Sequence, residues 1–200
     1  MAAPTKNGSS RPSAFQELGL AKTVQALAEE VRELYLCDGI PWVVGYSGGK
    51  DSTAALQLVW LALRDLTADK RQKPVHVIST DTLVEQPLVA AWVDASLERM
   101  RAAAGEQSMP FTPHKLTPEV EDSFWVNLIG RGYPAPRQKF RWCTERLKIR
   151  PSNKFIREMV RQYGEAILVL GTRKAESQAR AGRMLKLEAD FKRGRNGRTD

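Results

Sequence analysis

Cysteine and histidine are scarce in this sequence, with two of each in 200 residues. Two cysteines, Cys37 and Cys143, exclude a disulfide-rich secreted scaffold. Two histidines, His76 and His114, sit in no Ser–His–Asp arrangement, which removes support for a triad hydrolase. No apolar run approaches the roughly 20 residues that a membrane span needs. The first residues, Met1 to Pro12, are small and polar and lack the apolar stretch of a secretory signal. A leader without fixed structure is therefore expected over residues 1–13. A reduced, cytoplasmic setting with no membrane partner is the matching expectation. Hydrophobic residues make up 42% and charged residues 27%, the range of a soluble globular domain able to build its own core.

Acidic residues thin out toward the end of the chain. Residues 1–130 hold 12 basic and 16 acidic side chains, and residues 131–200 hold 19 and 7. The overall charge of +8 is thus a net of −4 followed by a net of +12. Such a split suits a surface that meets a polyanion, with nucleic acid the leading candidate, or a solvated basic tail.

Periodicity orders the rest. Phe15 to Leu36 repeats Leu18, Val24, Leu27, Val31 and Leu34 at helical spacing. Pro41 to Tyr46 is a short apolar run bounded by turn residues, hence a buried strand. A helix is expected from Ser52 to Leu66, a strand from Pro74 to Thr80, and a helix from Gln86 to Ala104. Pro110 to Leu116 is a candidate third strand, Asn153 to Tyr163 a helix with Pro151 near its first turn, and Ala166 to Leu170 a strand. Ala179 to Asp190 is a candidate helix, whereas Phe191 to Asp200 has no apolar periodicity. This alternation predicts an α/β fold, an open, mostly parallel twisted sheet with helices on both faces. Ligands of such sheets sit beyond the carboxyl ends of the strands, which directs attention to the loops after Tyr46, Thr80 and Leu170.

The first of these loops reads Ser47-Gly48-Gly49-Lys50-Asp51-Ser52. Two glycines permit a tight turn and close approach to a phosphate. The helix that follows aims its unpaired N–H groups at the same place. Ser47 and Ser52 add hydroxyls and Lys50 a positive charge, while Asp51 suits phosphate only through a cation such as Mg²⁺. The pattern lacks the spacing of a Walker A loop. Asp81, at the end of the second strand, faces the crevice, where it can bind a ribose or a metal-bound water, or cap the next helix. The segment Gly171-Thr172-Arg173-Lys174-Ala175-Glu176-Ser177 follows the fourth strand into the same crevice.

The loop resembles the SGGxDS signature of the PP-loop ATP pyrophosphatases of the adenine nucleotide alpha-hydrolase superfamily. Arg141-Trp142-Cys143-Thr144-Glu145-Arg146-Leu147-Lys148-Ile149-Arg150-Pro151 resembles the corresponding segment of PAPS reductase-like proteins. It is more similar still to that of the DndC and SspD family of DNA phosphorothioation, as are Phe124 to Pro134 and Gly171 to Ser177. The similarity runs from about Gln16 to Met184, so residues 14–184 are expected to form the pyrophosphatase domain and 185–200 a basic, flexible or truncated end. The resemblance implies that Ser47, Gly48, Gly49, Lys50, Asp51, Ser52, Asp81, Gly171, Arg173, Glu176 and Ser177 bind ATP. Lys50, Asp51 and Arg173 would serve catalysis, Asp51 holding Mg²⁺ and Arg173 neutralising the α-phosphate. Cys143 would be one ligand of a [4Fe–4S] cluster in a longer protein, because one thiolate cannot hold four irons. Otherwise it is a small packed side chain; Cys37 is read as core packing.

The basic residues of this region include Arg137, Lys139, Arg141, Arg146, Lys148 and Arg150, interleaved with Tyr133, Phe140 and Trp142, and Arg180 follows later. Charge beside exposed aromatics suits a nucleic-acid backbone with base stacking. Lys148 can instead serve ATP. The family's partners are DNA, a cysteine desulfurase as sulfur donor and other DNA phosphorothioation proteins. Other readings of the same loop are a sulfonucleotide reductase, a tRNA-thiolating enzyme, or a non-catalytic nucleic-acid-binding module.

Overall fold

A computed structural model describes residues 15, 17–173 and 178–196 of the chain. The expected leader lies outside them, as do Glu176 and Ser177. The described elements are α1 (Gly19–Leu36), β1 (Trp42–Gly45), α2 (Lys50–Arg64), β2 (Val75–Thr80), α3 (Pro87–Glu106), β3 (Phe111–Leu116), α4 (Trp142–Thr144), α5 (Arg150–Tyr163), β4 (Ile167–Leu170) and α6 (Gln178–Asn196). All four strands are parallel, in the order β3-β2-β1-β4. Trp42 of β1 lies opposite Val75 of β2 and Ile167 of β4. This is the predicted α/β architecture, and no helix among the described residues is long and apolar enough to cross a membrane.

Because β1 is central, its side chains are covered on both faces, and Trp42, Val43 and Val44 are all buried. Alternation sends them to two cores. Trp42 and Val44, with Val75 and Val77 of β2, pack against Tyr35, Leu56, Val59, Leu63 and Leu97 of α1, α2 and α3. Val43 and Ile78 face the other way, onto Phe155, Ile156 and Met159 of α5. At the amino end of the sheet, the buried Lys73 is paired with Asp38 at 2.9 Å and lies 4.8 and 4.9 Å from the rings of Tyr35 and Trp42.

Several expectations are corrected. α1 buries Ala28 and Tyr35, while Leu18, Leu27 and Leu34 are exposed. The smaller Ala28 lets α1 approach α2 with Tyr35 anchored, its hydroxyl donating to the Lys73 carbonyl at 2.6 Å. Cys37 is exposed rather than packed, since it ends α1 and its thiol bonds the Leu34 carbonyl and Asp38. Trp142 is buried rather than exposed, stacked on Phe124 and donating from its indole nitrogen to the Pro134 carbonyl at 3.0 Å. The helix expected from Asn153 begins earlier, because α4 runs through a π-helical turn, Glu145–Ile149, into α5. α6 continues past Met184 to Asn196, into the stretch where no apolar period is visible.

Two histidines share the α5 face of the sheet. His76 Nδ1 and His114 Nε2 are 3.0 Å apart, against the ring of Phe155, and His76 Nε2 is buried without a partner. Burial pushes both imidazoles below their ordinary value, and for His114 the neighbouring His76 and Arg101 add to it. The unfolded chain therefore takes up protons below about pH 6.5 while the folded chain resists, so stability falls as pH drops through that region. We expect the melting temperature to fall between pH 7.5 and pH 5. In a His76→Leu, His114→Phe variant, calorimetric scans should show a flatter dependence over the same window. A wild-type melting temperature that does not change across it would contradict the assignment.

Candidate functional site

Strand order reverses at β1: the chain steps outward through β2 and β3, then returns to place β4 on the other side. At this switch point a crevice opens beyond the carboxyl ends of the strands, the expected ligand position in an open α/β sheet. Its volume is about 860 Å³, and its lining includes Ser47, Gly49, Lys50, Asp51, Asp81 and Gly171.

The Ser47–Ser52 loop is fixed by its own hydrogen bonds. Gly48 adopts φ +72°, the left-handed region that glycine enters freely. A Cβ there would stand 2.9 Å from Val93 Cγ2, so α3 packs directly over the turn. Ser52 Oγ accepts from the Ser47 amide at 3.2 Å, lies 3.1 Å from Ser47 Oγ and donates to the Gly49 carbonyl at 3.0 Å. The amides of Lys50, Asp51 and Ser52 precede the first intrahelical bond of α2, Thr53 N to Gly49 O, and form the donor-rich start of the helix.

β4 delivers the opposing wall. A Cβ at Gly171 would lie 2.4 Å from the Asp51 carbonyl oxygen, so only glycine fits where the loop after β4 crosses the first turn of α2. Two residues on, Arg173 Nε donates to Asp51 Oδ2 at 2.9 Å. Residues 122 positions apart thus meet at the lip of the crevice.

Asp81 sits at the end of β2 as expected. It accepts from the Leu83 amide at 2.8 Å and from Lys115, which also pairs with Asp94. Burial opposes its ionisation, yet the Leu83 amide and the Lys115 ammonium outweigh it and hold the carboxyl below its ordinary value. Its cap role is therefore local, to the 82–83 turn; α3 itself has no side-chain cap. Two lysines at the crevice are not assigned to it by the sequence pattern alone. Lys115, on β3, carried no motif and was unreadable without the β2–β3 pairing. Lys148 lines the crevice from the π-helical turn and pairs with Glu85 at 3.2 Å.

The other basic residues diverge. Arg137, Lys139 and Arg141 are exposed on the irregular segment before α4. Arg146 is turned inward, 2.6 Å from Asp122 and 2.8 Å from the Tyr133 hydroxyl. Arg150 shares the same Asp122 at 2.8 Å. The two guanidinium groups hold the Asp122 carboxyl below its ordinary value against the opposing effect of burial. Arg180 lies on α6. Cys143 is half-buried on α4. Among the described residues no group of three or more His, Cys, Asp or Glu side chains could hold a metal ion.

Replacement of Gly171 is the sharpest test of this geometry. Gly171→Ala must shift one backbone against another, a cost of about 1–3 kcal/mol. Urea unfolding should report that loss, whereas Gly182→Ala, inside α6 at a site where a Cβ meets nothing within 4 Å, should stabilise by about 0.5–1 kcal/mol. Equal effects at both positions would refute the close approach.

The chain is similar to an uncharacterised protein of Methanocaldococcus jannaschii, 30% identical over 142 residues that cover 70% of this chain and 24% of the relative. The chain therefore spans about a quarter of that relative's length. Among solved structures it is similar to the U34-tRNA thiolase NcsA from Methanococcus maripaludis with its [4Fe–4S] cluster, at TM-score 0.49 and 17% identity, covering 88% of this chain and 54% of that one. Residues 41–194 match the phosphoadenosine phosphosulfate reductase domain, which takes in every strand of the sheet and the loops of the crevice. The chain belongs to the phosphoadenosine phosphosulfate reductase domain family.

Proposed function

We propose that the crevice binds ATP and that the protein is an ATP pyrophosphatase, activating a DNA backbone phosphate for sulfur insertion. The observation that carries the reading is the convergence of the Ser47–Ser52 loop and Arg173 on one point of the sheet, with Asp51 and Arg173 in contact at 2.9 Å. Oriented amides at a helix start bind phosphate, and Lys50 stands among them. A cavity of about 860 Å³ is large enough for a nucleoside triphosphate.

In this reading a DNA phosphate oxygen attacks the α-phosphorus. The bond from that phosphorus to the bridging oxygen breaks, and pyrophosphate leaves with the electron pair. Both reacting groups are anionic, so the work of the protein is electrostatic. Lys50 and the first amides of α2 hold the leaving pyrophosphate. Arg173 exchanges its Asp51 contact for the α-phosphate and so faces the charge that grows there. Lys115 and Lys148 are held in place by Asp81, Asp94 and Glu85 and turn to the phosphates only as these displace the carboxylates.

Mg²⁺ fits the residues present. It commonly takes one or two carboxylates plus substrate phosphates, and Asp51 offers a partly exposed carboxylate at the loop. When bound it would neutralise phosphate charge. The [4Fe–4S] cluster does not fit the described residues, where Cys143 on α4 and Cys37 at the end of α1 are the only cysteines and join no ligand group. A cysteine desulfurase and other DNA phosphorothioation proteins would complete the pathway, in a cytoplasmic setting. A second reading, a sulfonucleotide reductase, is favoured by the family match. It differs in binding an adenylyl sulfate and releasing no pyrophosphate.

The assay is pyrophosphate release from MgATP with duplex DNA present. Lys50→Ala and Asp51→Ala should each lower the rate by roughly 10²-fold or more, the scale of removing one charge-stabilising group. Undiminished release in both variants would sink the assignment. Adenylyl sulfate turnover without pyrophosphate release would select the second reading.

A further inference from the structure

α5 carries Arg150, Lys154, Arg157 and Arg161 at spacings of four, three and four, which set them on one stripe of the helix. Each is exposed. The opposite side buries Pro151 and Phe155 and packs Met159 against the sheet. We propose that this stripe is the docking surface for the backbone of duplex DNA, which it leads to the crevice. The proposal rests on the DNA reading above and assigns it a surface.

Three observations support it. The first is placement. Ile149, Ser152 and Asn153 line the crevice from the start of α5. Asn153 also lines a second cavity of about 370 Å³, whose walls include Arg146, Arg150, Lys154 and Arg157. The stripe thus begins where the crevice ends.

The second is charge. Glu119 pairs with Lys154 at 2.6 Å, Asp122 with Arg146 and Arg150, and Glu145 and Glu158 lie nearby. Arg157 and Arg161 make no ion pair among the described residues. The Lys154–Glu119 pair is solvent-exposed on both sides, and such pairs contribute little, so a phosphate replaces the carboxylate at small cost. Along the axis the four residues span about 16 Å, from 1.5 Å per residue. One DNA strand presents a phosphate every 3.4 Å of axis, so the stripe covers about half a turn of duplex.

The third is the kind of nucleic acid. Single strands are held largely by stacking on exposed aromatics. Trp142 and Phe155 are buried; the exposed Trp125 and Phe140 lie off α5, and the exposed Tyr163, two residues on from Arg161, falls on the other side of the helix, so the stripe itself carries no aromatic side chain. A duplex, whose bases are already stacked, needs only the cations.

The test is fluorescence anisotropy of a labelled 20-bp duplex with the full chain over a salt series. Arg157→Ala/Arg161→Ala should bind at least 10-fold more weakly at 50 mM salt, and the slope of log K against log salt should shrink by about two, from roughly 0.9 per phosphate contact. The control Arg183→Ala/Lys186→Ala, two exposed residues of α6, should change affinity less than 2-fold. Unchanged affinity and slope in the α5 variant would overturn the proposal, as would tighter binding of a single strand of the same sequence. Pyrophosphate release separates the two ideas. Stripe-dependent DNA binding without release would leave the surface standing and remove the ATP reading. Release with stripe-independent binding would do the reverse.

Discussion

A Cβ at position 171 would stand 2.4 Å from the Asp51 carbonyl oxygen, and the whole crevice depends on that narrow clearance. β4 can lie beside β1 only if the chain leaving it crosses the first turn of α2 at van der Waals distance. Glycine at 171 permits the crossing. Its consequence is chemical as well as spatial, because it brings Arg173 within 2.9 Å of Asp51. The strand reversal at β1 opens the crevice, and the Gly171 crossing furnishes it with a second wall and a second cation. Gly48 plays the matching role on the other side, where its left-handed turn tucks under Val93 of α3.

Most of the sheet was legible in the sequence, for a specific reason. A parallel strand covered on both faces reads as a short apolar run, as Trp42 to Gly45 does, while Val75 to Thr80 was legible from its β-branched residues after Pro74 despite His76. The loop residues Ser47 to Ser52 were legible because a tight turn, a helix start and a phosphate site make joint demands on residue type. The misreadings have a common origin too. Leu27 and Leu34 follow a helical period, but periodicity alone does not say which neighbour a helix meets, and α2 accepted Ala28 and Tyr35 instead. Trp142 lies in a basic stretch and reads as exposed. Its burial follows from Phe124 and Pro134, which only the fold brings to it. Lys115 was illegible for the same reason, since its partners Asp81 and Asp94 come from elements 34 and 21 residues away in sequence.

The basic segment around the π-helical turn Glu145–Ile149 serves two purposes. A continuous α-helix would place residues 146 and 150 on one face and 148 and 152 on another. The wider turn keeps that division while seating Leu147 in the interior. Arg146 and Arg150 converge on Asp122, and Lys148 faces Glu85 and the crevice. π-helical turns are often found at functional sites, and this one carries a cation that lines the crevice.

The ion pairs around the crevice decide what its charge can do. Lys115 is held by two carboxylates, Lys148 by Glu85, and Arg173 by Asp51. Paired cations of this kind are oriented but largely neutralised, so they contribute little long-range attraction. Lys50 differs: among the described residues it makes no ion pair, and it is the first residue of α2, beside unbonded amides. Positive potential is therefore concentrated at the Ser47–Ser52 loop. An incoming polyphosphate meets its strongest attraction there, and the paired cations become available only as it displaces their carboxylates. That order favours a ligand whose phosphates enter the loop first, with the remainder of the molecule lying across the switch point toward Arg173.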